Sequence, residues 1–224
     1  MISGFSQTFA VARKDFRSEL RSRYGLQAIG MFVATVVIAV SFSIGPERLE
    51  PAVTAGLLWI CFFFTAVTGL SRSYLAEQER GTMLLLRLTL NSTPVYFGKL
   101  LFNVTLSVGS NLAIVLLFTL FNADDYHGSL GGLCLLSILI SIGLAAAVTT
   151  ISALLTRASA QGTLSTVLSF PLILPLLFLG HDLLSRGADG KGLDTMAIDL
   201  LLILAYAVVV VSLSYVLLDL IWKE

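Results

Sequence analysis

Long apolar runs separated by short polar segments form the main pattern of the chain. Six such runs lie near residues 25–45, 51–71, 99–121, 130–155, 160–180 and 197–221. A helix of about 20 residues crosses a hydrocarbon layer of about 30 Å, and each run reaches or approaches that length. Since lipid cannot satisfy backbone polar groups, such runs predict transmembrane helices. The expected fold is an all-α integral membrane protein with six spans in a single domain over residues 1–224.

The distribution of lysine and arginine predicts the orientation of these helices. With the N-terminus inside, the inner segments hold 11 of these residues and the outer loops hold 3. Positive charge is enriched in cytoplasmic loops. We therefore expect six spans with both termini on the cytoplasmic side.

The segment before the first run, residues 4–22, has the periodicity of an amphipathic helix. Its apolar face contains Phe5, Phe9, Ala12, Phe16 and Leu20. Its basic residues lie mainly off that face and are Arg13, Lys14, Arg17 and Arg21. This pattern predicts a helix in the membrane interface, with rings at the acyl boundary and cations at anionic headgroups. A helix packed against a soluble partner is the alternative.

The longest polar break lies between the second and third runs and reads SRSYLAEQERGTMLLLRLTLNSTPVYFGK, residues 71–99. Gly81 separates its charged part from the apolar stretch Met83–Leu86, which is too short to span a membrane. The pattern predicts a short helix along the inner membrane surface, where a protein outside the membrane could push on the spans. A solvated loop without a partner is the alternative.

Polar and proline residues within the runs predict how the helices pack. The third run carries a polar stripe at helical spacing, namely Asn103, Ser107, Ser110 and Asn111. Such a stripe turns towards other helices or a wet cavity, so it serves interhelical packing or lines a ligand path. Small residues in the fourth run favour close packing, within the chain or across a dimer. Pro171 and Pro175 predict a kinked or broken fifth helix.

Composition and missing motifs narrow the function. Only 12% of residues are charged, against about 25% in a soluble domain, and the net charge is zero, which gives no basic field for nucleic acid. Cys61 and Cys134 stand alone in separate runs, which argues against a zinc or redox site. No GxxxxGK[ST] motif occurs, so this chain is not expected to hydrolyse ATP. His127 and His181 lie at the outer membrane edge, where each could bind a metal or haem iron or form a local hydrogen bond.

Charged residues deep in the spans are a requirement of most ion-coupled transporters. No Asp, Glu, Lys or Arg lies deep in an apolar run of this sequence. An energy source on a partner protein is therefore the better expectation.

The polar break also resembles the coupling segment of type-two ABC exporter permeases. The similarity rests on Glu77-Gln78-Glu79-Arg80-Gly81-Thr82, the leucine-rich stretch 84–90, Pro94 and Gly98-Lys99. More narrowly, the whole chain is similar to the haem-exporter permease B (CcmB) family of cytochrome c maturation. That likeness is carried by SIGPE at 43–47, GLLW at 56–59 and FPLILPL at 170–176. Arg80 departs from the family pattern, which has an acidic residue before the glycine.

This resemblance implies a non-catalytic permease subunit in the bacterial inner membrane, present as a homodimer on two cytoplasmic ABC ATPase subunits. It also implies partners that handle haem, a membrane protein and a periplasmic haem chaperone. ATP would be bound by the ATPase and haem by the complex, with no cofactor assigned to this chain. The residues implied in ATPase coupling are Glu77, Glu79, Arg80, Gly81, Thr82, Leu85 and Arg87.

Three other functions stay open at this point. The first is a permease of another type-two exporter, for a lipid, a polyketide or a drug. The second is an intramembrane enzyme, which would need convergent acid, base or nucleophilic groups that the runs do not supply. The third is a scaffold without an energy source, which a stable complex with an ATPase would exclude.

Overall fold

The computed structural model describes residues 4–22, 24–44, 49–70, 74, 77, 81–122, 128–155 and 161–223. In this part of the chain the regular secondary structure is helical, which confirms the predicted all-α class. The helices are α1 Gly4–Ser22, α2 Tyr24–Ile44, α3 Pro51–Leu70, α4 Met83–Thr89, α5 Ser92–Phe121, α6 Leu130–Leu155, α7 Gln161–Ala188 and α8 Ala197–Lys223, the last preceded by a 3-10 turn, Leu193–Met196.

Four segments within the described residues are long and apolar enough to cross a membrane. They are Pro51–Gly69, Ser92–Phe121, Leu130–Leu154 and Leu193–Leu217, and Gln27–Ser43 is a shorter apolar helix. All of them overlap predicted runs. The count of six spans stays a prediction, because the described part of the chain yields four by length and composition.

Two helix boundaries differ from the apolar runs that predicted them. Helix α5 begins at Ser92 rather than near residue 99, and α7 ends at Ala188 rather than near residue 180. An apolar run marks only the part of a helix that lies in the hydrocarbon layer. The helix itself continues into the polar headgroup layer at either end. The 30 residues of α5 extend about 45 Å, which exceeds the hydrocarbon thickness by about 15 Å.

Helix α7 is continuous through both of its prolines, so it is not broken, and the alternative prediction of a kink at Pro171 and Pro175 stays a prediction. A proline within a helix has no N–H to donate to the carbonyl four residues before it. The preceding turn is therefore loosened. In this turn the hydroxyl of Tyr206 on α8 donates a hydrogen bond to the carbonyl of Leu172. The side chains of Pro171 and Pro175 are exposed on the outside of the helix.

The hydrophobic core is organised around α6. Leu133, Ile140 and Leu144 on this helix are fully buried, and α6 packs against α5, α7 and α8. Helix α8, by contrast, exposes large apolar side chains such as Ile198 and Val208 along much of its length. An exposed surface of this kind is what a lipid-facing helix requires.

Candidate functional site

Four charged side chains meet where α1 crosses the start of α5. Lys99 of α5 is fully buried, and its ammonium Nζ lies 3.2 Å from Asp15 Oδ2 and 3.7 Å from Glu77 Oε1. Lys14 pairs with the same carboxylates, at 3.2 Å from Asp15 Oδ1 and in a close hydrogen bond to Glu77. The ring of Tyr74 lies 5.0 Å from Lys99 Nζ and adds a cation–π contact. We call Lys14, Asp15, Glu77 and Lys99 the ion cluster.

Among the described residues the ion cluster is balanced, with two cations and two anions, and this balance favours its burial. A buried ammonium without partners would be strongly unfavourable, whereas paired and hydrogen-bonded charges are tolerated. Asp15 and Glu77 are also nearly buried, while the side chain of Lys14 is 45% exposed. Lys14 is therefore the one member of the cluster in extensive contact with the surroundings.

Burial and pairing act in opposite directions on the protonation of the cluster. Desolvation on its own would raise the pKa of Glu77, but hydrogen bonds from Lys14 and Thr82 and the charge of Lys99 hold that pKa below its ordinary value. Desolvation would likewise lower the pKa of Lys14, and its bonds to Glu77 and Asp15 raise it instead. Both groups therefore stay charged around neutral pH.

Glu77 and Thr82 close a turn that leads into the short helix α4. The Thr82 amide donates to the Glu77 carbonyl at 3.0 Å, and the Thr82 hydroxyl donates to the Glu77 carboxylate. Between them Gly81 has a φ of +67°, a left-handed conformation that residues with a Cβ adopt at a cost. Gly81 and Thr82, both predicted coupling residues, thus connect the ion cluster to α4.

Helix α1 is packed tightly against the start of α5. A Cβ on Gly98 would lie 2.7 Å from Val11 Cβ and 2.8 Å from the Thr8 carbonyl oxygen, so only glycine permits this approach. One turn further, the rings of Phe16 and Phe102 meet edge to face with centroids 4.9 Å apart. The predicted apolar face of α1 is therefore divided between α5 and the surroundings, since Phe5, Phe9 and Leu20 are exposed.

The other predicted coupling residues lie on or beside α4. Leu85 is 62% exposed and Leu88 is 77% exposed, whereas Leu86 is buried against the protein. Helix α4 therefore presents an apolar edge away from the bundle. Glu79 and Arg80 lie outside the described residues, as does the side chain of Arg87.

The polar stripe of the third run lies mostly in the contact between α5 and α6. The Asn103 amide nitrogen donates to Thr149 Oγ1, and that of Asn111 donates to Ser141 Oγ, each at 2.8 Å. Ser107 is buried between them, whereas Ser110 is only half-buried and donates to the carbonyl of Leu106 on its own helix. The two asparagines therefore bond α5 to α6, and a ligand-lining role for the stripe stays a prediction.

A further buried polar contact joins three helices close to the ion cluster. The hydroxyls of Tyr96 on α5 and Thr150 on α6 lie 3.4 Å apart, and Thr150 also bonds the hydroxyl of Ser214 on α8. Such bonds contribute about 0.6 kcal/mol on average in a membrane, so their main effect is on register.

At the opposite end of the bundle, His181 joins α7 to α3. Its Nε2 lies 3.1 Å from the carbonyl oxygen of Ala52, so this nitrogen carries the proton and donates. Arg186 bonds both Asp182 and Asp199, which ties α7 to α8. Among the described residues no group of three His, Cys, Asp or Glu side chains is placed to hold a metal ion. His127 lies outside them.

Sequence reasoning missed the ion cluster as a unit. Asp15 was not singled out, and Lys99 counted as a positive charge at the inner end of a span and as part of the Gly98-Lys99 resemblance, not as a member of a buried cluster. One signal was available: Asp15 lies next to Phe16, at the border of the apolar face of an amphipathic helix, where a buried carboxylate requires a partner. The identity of that partner, 84 residues away, could not be read from local spacing.

Comparison with known proteins agrees with the sequence resemblance. A family profile described as CcmB protein matches residues 6–217. Heme exporter protein B of Rhodobacter capsulatus is 26% identical over 190 residues, covering 83% of this chain and 85% of that protein. Heme exporter protein B of Bradyrhizobium diazoefficiens is 32% identical over 91 residues, 38% of each chain. Since the profile covers nearly the whole sequence, the chain belongs to the CcmB family.

Proposed function

We propose that this chain is the membrane permease subunit of a haem-export ABC system used in cytochrome c maturation. The relatives that carry the name heme exporter protein B and the family match support the substrate class. In this proposal the ATPase is a separate chain, because this sequence has no nucleotide-binding motif. The complex would use ATP to handle haem or to release a haem-loaded periplasmic chaperone.

The proposed arrangement has six spans, with the second to the sixth formed by α3, α5, α6, α7 and α8. Helix α2 is the proposed first span, and both termini lie in the cytoplasm. The lysine and arginine distribution supports this orientation, as does the position of α1 beside the same end of α5 that carries Lys99. Two copies would assemble on two ATPase subunits.

The ion cluster is the observation that carries the mechanical part of the proposal. It fastens three elements to one another: α1 through Asp15, the segment before α4 through Glu77, and α5 through Lys99. A displacement of α4 by the ATPase would therefore reach α1 and the start of α5 together. From α5 the displacement would pass to α6 through the asparagine contacts.

The exposed edge of α4 is the proposed ATPase contact. Leu85 and Leu88 face away from the bundle, and apolar side chains on a short surface helix gain most by docking in a partner's groove. The left-handed backbone at Gly81 sets the direction in which α4 leaves the turn that begins at Glu77. Glu79, Arg80 and Arg87 are also proposed ATPase contacts, and only the family resemblance supports them.

The test is purification of the chain from its native membrane in mild detergent, with identification of the proteins that accompany it. We expect a small ABC ATPase together with haem-handling proteins. The double variant Leu85→Ser/Leu88→Ser should lose the ATPase and lower the yield of c-type cytochromes, while Leu130→Ser, at the opposite end of the bundle, should change neither. An ATPase without haem partners would contradict the substrate class, and an unchanged complex in the double variant would contradict the assigned contact.

A further inference from the structure

A basic groove on α1 lies on the side of the helix that does not pack against α5. The groove has a volume of about 510 Å³ and is lined by Ser6, Phe9, Ala10, Arg13, Lys14 and Arg17. These residues form two adjacent rows at spacings of three and four, and three of the six are cations. Among the residues that the structure describes, no carboxylate lines the groove.

The two arginines of the groove are available for a ligand. Arg13 and Arg17 are exposed, and neither guanidinium is paired with a carboxylate among the residues that the structure describes. Lys14 is engaged by Asp15 and Glu77 but remains 45% exposed at the edge of the groove. The guanidinium group has the planar fork of donors that suits a phosphate.

An exposed aromatic side chain adjoins these cations. Phe9, at the near end of the groove, is 61% exposed, and Phe5, one turn before it, is 85% exposed. Two phenyl rings in water would be unfavourable, whereas rings at an acyl boundary beside cations at the headgroups are the usual form of an interfacial helix. The surface thus combines an anion-binding part and an acyl-binding part on one face.

The length of α5 places α1 at the level of the lipid headgroups. About 20 of its 30 residues suffice for the hydrocarbon layer, and the polar residues of its ends, Ser92, Thr93 and Lys99, are concentrated at the beginning. The excess length therefore belongs at that end. Helix α1 crosses α5 at Gly98 and Phe102, close to the boundary between headgroups and acyl chains.

We infer that the groove between Arg13 and Arg17 binds the phosphodiester of an anionic phospholipid, with an acyl chain along Phe9 and Phe5. An acidic protein surface would complement the cations but would leave both rings in water. A lipid of the same bilayer complements both. The inference uses the membrane placement of the proposed function but does not depend on an ATPase or on haem.

The test is native mass spectrometry of the purified chain after reconstitution in phosphatidylcholine bilayers that contain a fixed fraction of phosphatidylglycerol. We expect the wild-type chain to retain phosphatidylglycerol in preference to phosphatidylcholine. Because hydrogen bonds to a charged group contribute about 1.5–3 kcal/mol each, Arg13→Gln/Arg17→Gln should weaken retention by at least about tenfold. Glycerol phosphate without acyl chains should compete poorly, since it lacks the part that Phe9 would hold.

Two controls separate a defined site from a general charge effect. Arg21→Gln removes one positive charge on the same helix outside the groove, as Arg17→Gln does within it, and Lys191→Gln removes one at the far end of the bundle. Retention in both controls should stay within about twofold of wild type. An equal loss in Arg21→Gln and Arg17→Gln would mean a diffuse electrostatic field and would overturn the site.

Hydrogen exchange and partner recovery complete the test. Protection of Val11 and Ala12 should be unchanged in the double arginine variant, because these residues face α5 rather than the groove. If the variant keeps its lipid but loses a co-purifying protein, the groove binds a protein and the lipid assignment is wrong. Failure to recover any ATPase from wild type would count against the proposed function and leave the lipid result unaffected.

Discussion

Replacement of Lys99 by methionine is the most direct test of the ion cluster. The substitution keeps much of the side-chain volume and removes the one cation that is fully buried among the described residues. Asp15 and Glu77, with side chains 10% and 8% exposed, would then share Lys14 as their one remaining cation among the described residues. We expect α1 to separate from α5, because one ammonium cannot compensate two nearly buried carboxylates.

The expected magnitude follows from burial and from the partner that remains. Removing one partner of a buried ion pair costs about 3–5 kcal/mol. Since Lys14 still lies 3.2 Å from Asp15, the lower end of this range applies, about 3 kcal/mol. Converted at 1.4 kcal/mol per factor of ten, this predicts amide exchange in α1 faster by about two orders of magnitude.

Hydrogen exchange of α1, followed by mass spectrometry in bilayer discs, is the appropriate assay. Lys191→Met is the matched control, because Lys191 pairs with Asp189 at 3.4 Å with both side chains 51% exposed. An exposed pair of that kind contributes about 0–1 kcal/mol, and its loss should leave α1 protected. Protection of α1 in Lys99→Met equal to that in wild type would refute the structural role of the cluster.

Acid provides an independent perturbation of the same cluster. The pKa of Glu77 in the folded protein is below its ordinary value of 4.5, so its contribution to stability is complete above pH 4.5. That contribution is lost as the pH falls through the lowered pKa, when the carboxylate takes up a proton. The protection factor of α1, which is corrected for the intrinsic pH dependence of amide exchange, should therefore be steady near neutrality and fall in acid, and Glu77→Gln should show little of this dependence.

Substitutions at three further positions test the turn before α4, the contact of α1 with α5 and the contact of α5 with α6. Gly81→Ala should reduce complex activity through about 1–2 kcal/mol of backbone strain, and Gly81→Asn should be milder because asparagine tolerates the left-handed conformation. Gly98→Val should detach α1 and speed its exchange, whereas Gly109→Val, with nothing within 4 Å of an added Cβ, should not. Asn111→Leu should lower the free energy of unfolding by about 0.6–1.7 kcal/mol, and Ser110→Ala is a near-neutral control on the same helix.

The helices were predictable because their signals are local. Each apolar run reports its own burial in lipid, so the positions of α3, α6 and α8 follow from the sequence within a few residues. The start of α5 did not follow from the sequence, because Ser92 and Thr93 are polar and belong to the helix although they lie outside the apolar run. The periodicity of residues 4–22 gave the extent of α1 but not the surface to which its apolar side chains pack.

The candidate site was predictable only in part, since its contacts join distant segments. Spacing placed Asn103 and Asn111 on one face of α5, but not their partners Thr149 and Ser141 on α6. Gly81 was identified through the family resemblance, and the structure supplies the reason in its positive φ. The pairing of Asp15 with Lys99 depends on the way α1 folds back over α5, which no local pattern specifies.

A buried ion cluster at this joint favours fixed geometry over maximum stability. Well-packed apolar residues often stabilise a protein as much as a buried ion pair does, because the ions lose their hydration. Asp15→Leu/Lys99→Leu leaves Lys14 and Glu77 as a balanced pair, so this variant should fold with α1 docked. An apolar contact is non-directional, however, and would let α1 and the Glu77 segment shift relative to α5. We therefore expect the proposed complex with an ATPase to assemble and hydrolyse ATP but to yield less cytochrome; a normal cytochrome yield would show that packing alone transmits the motion.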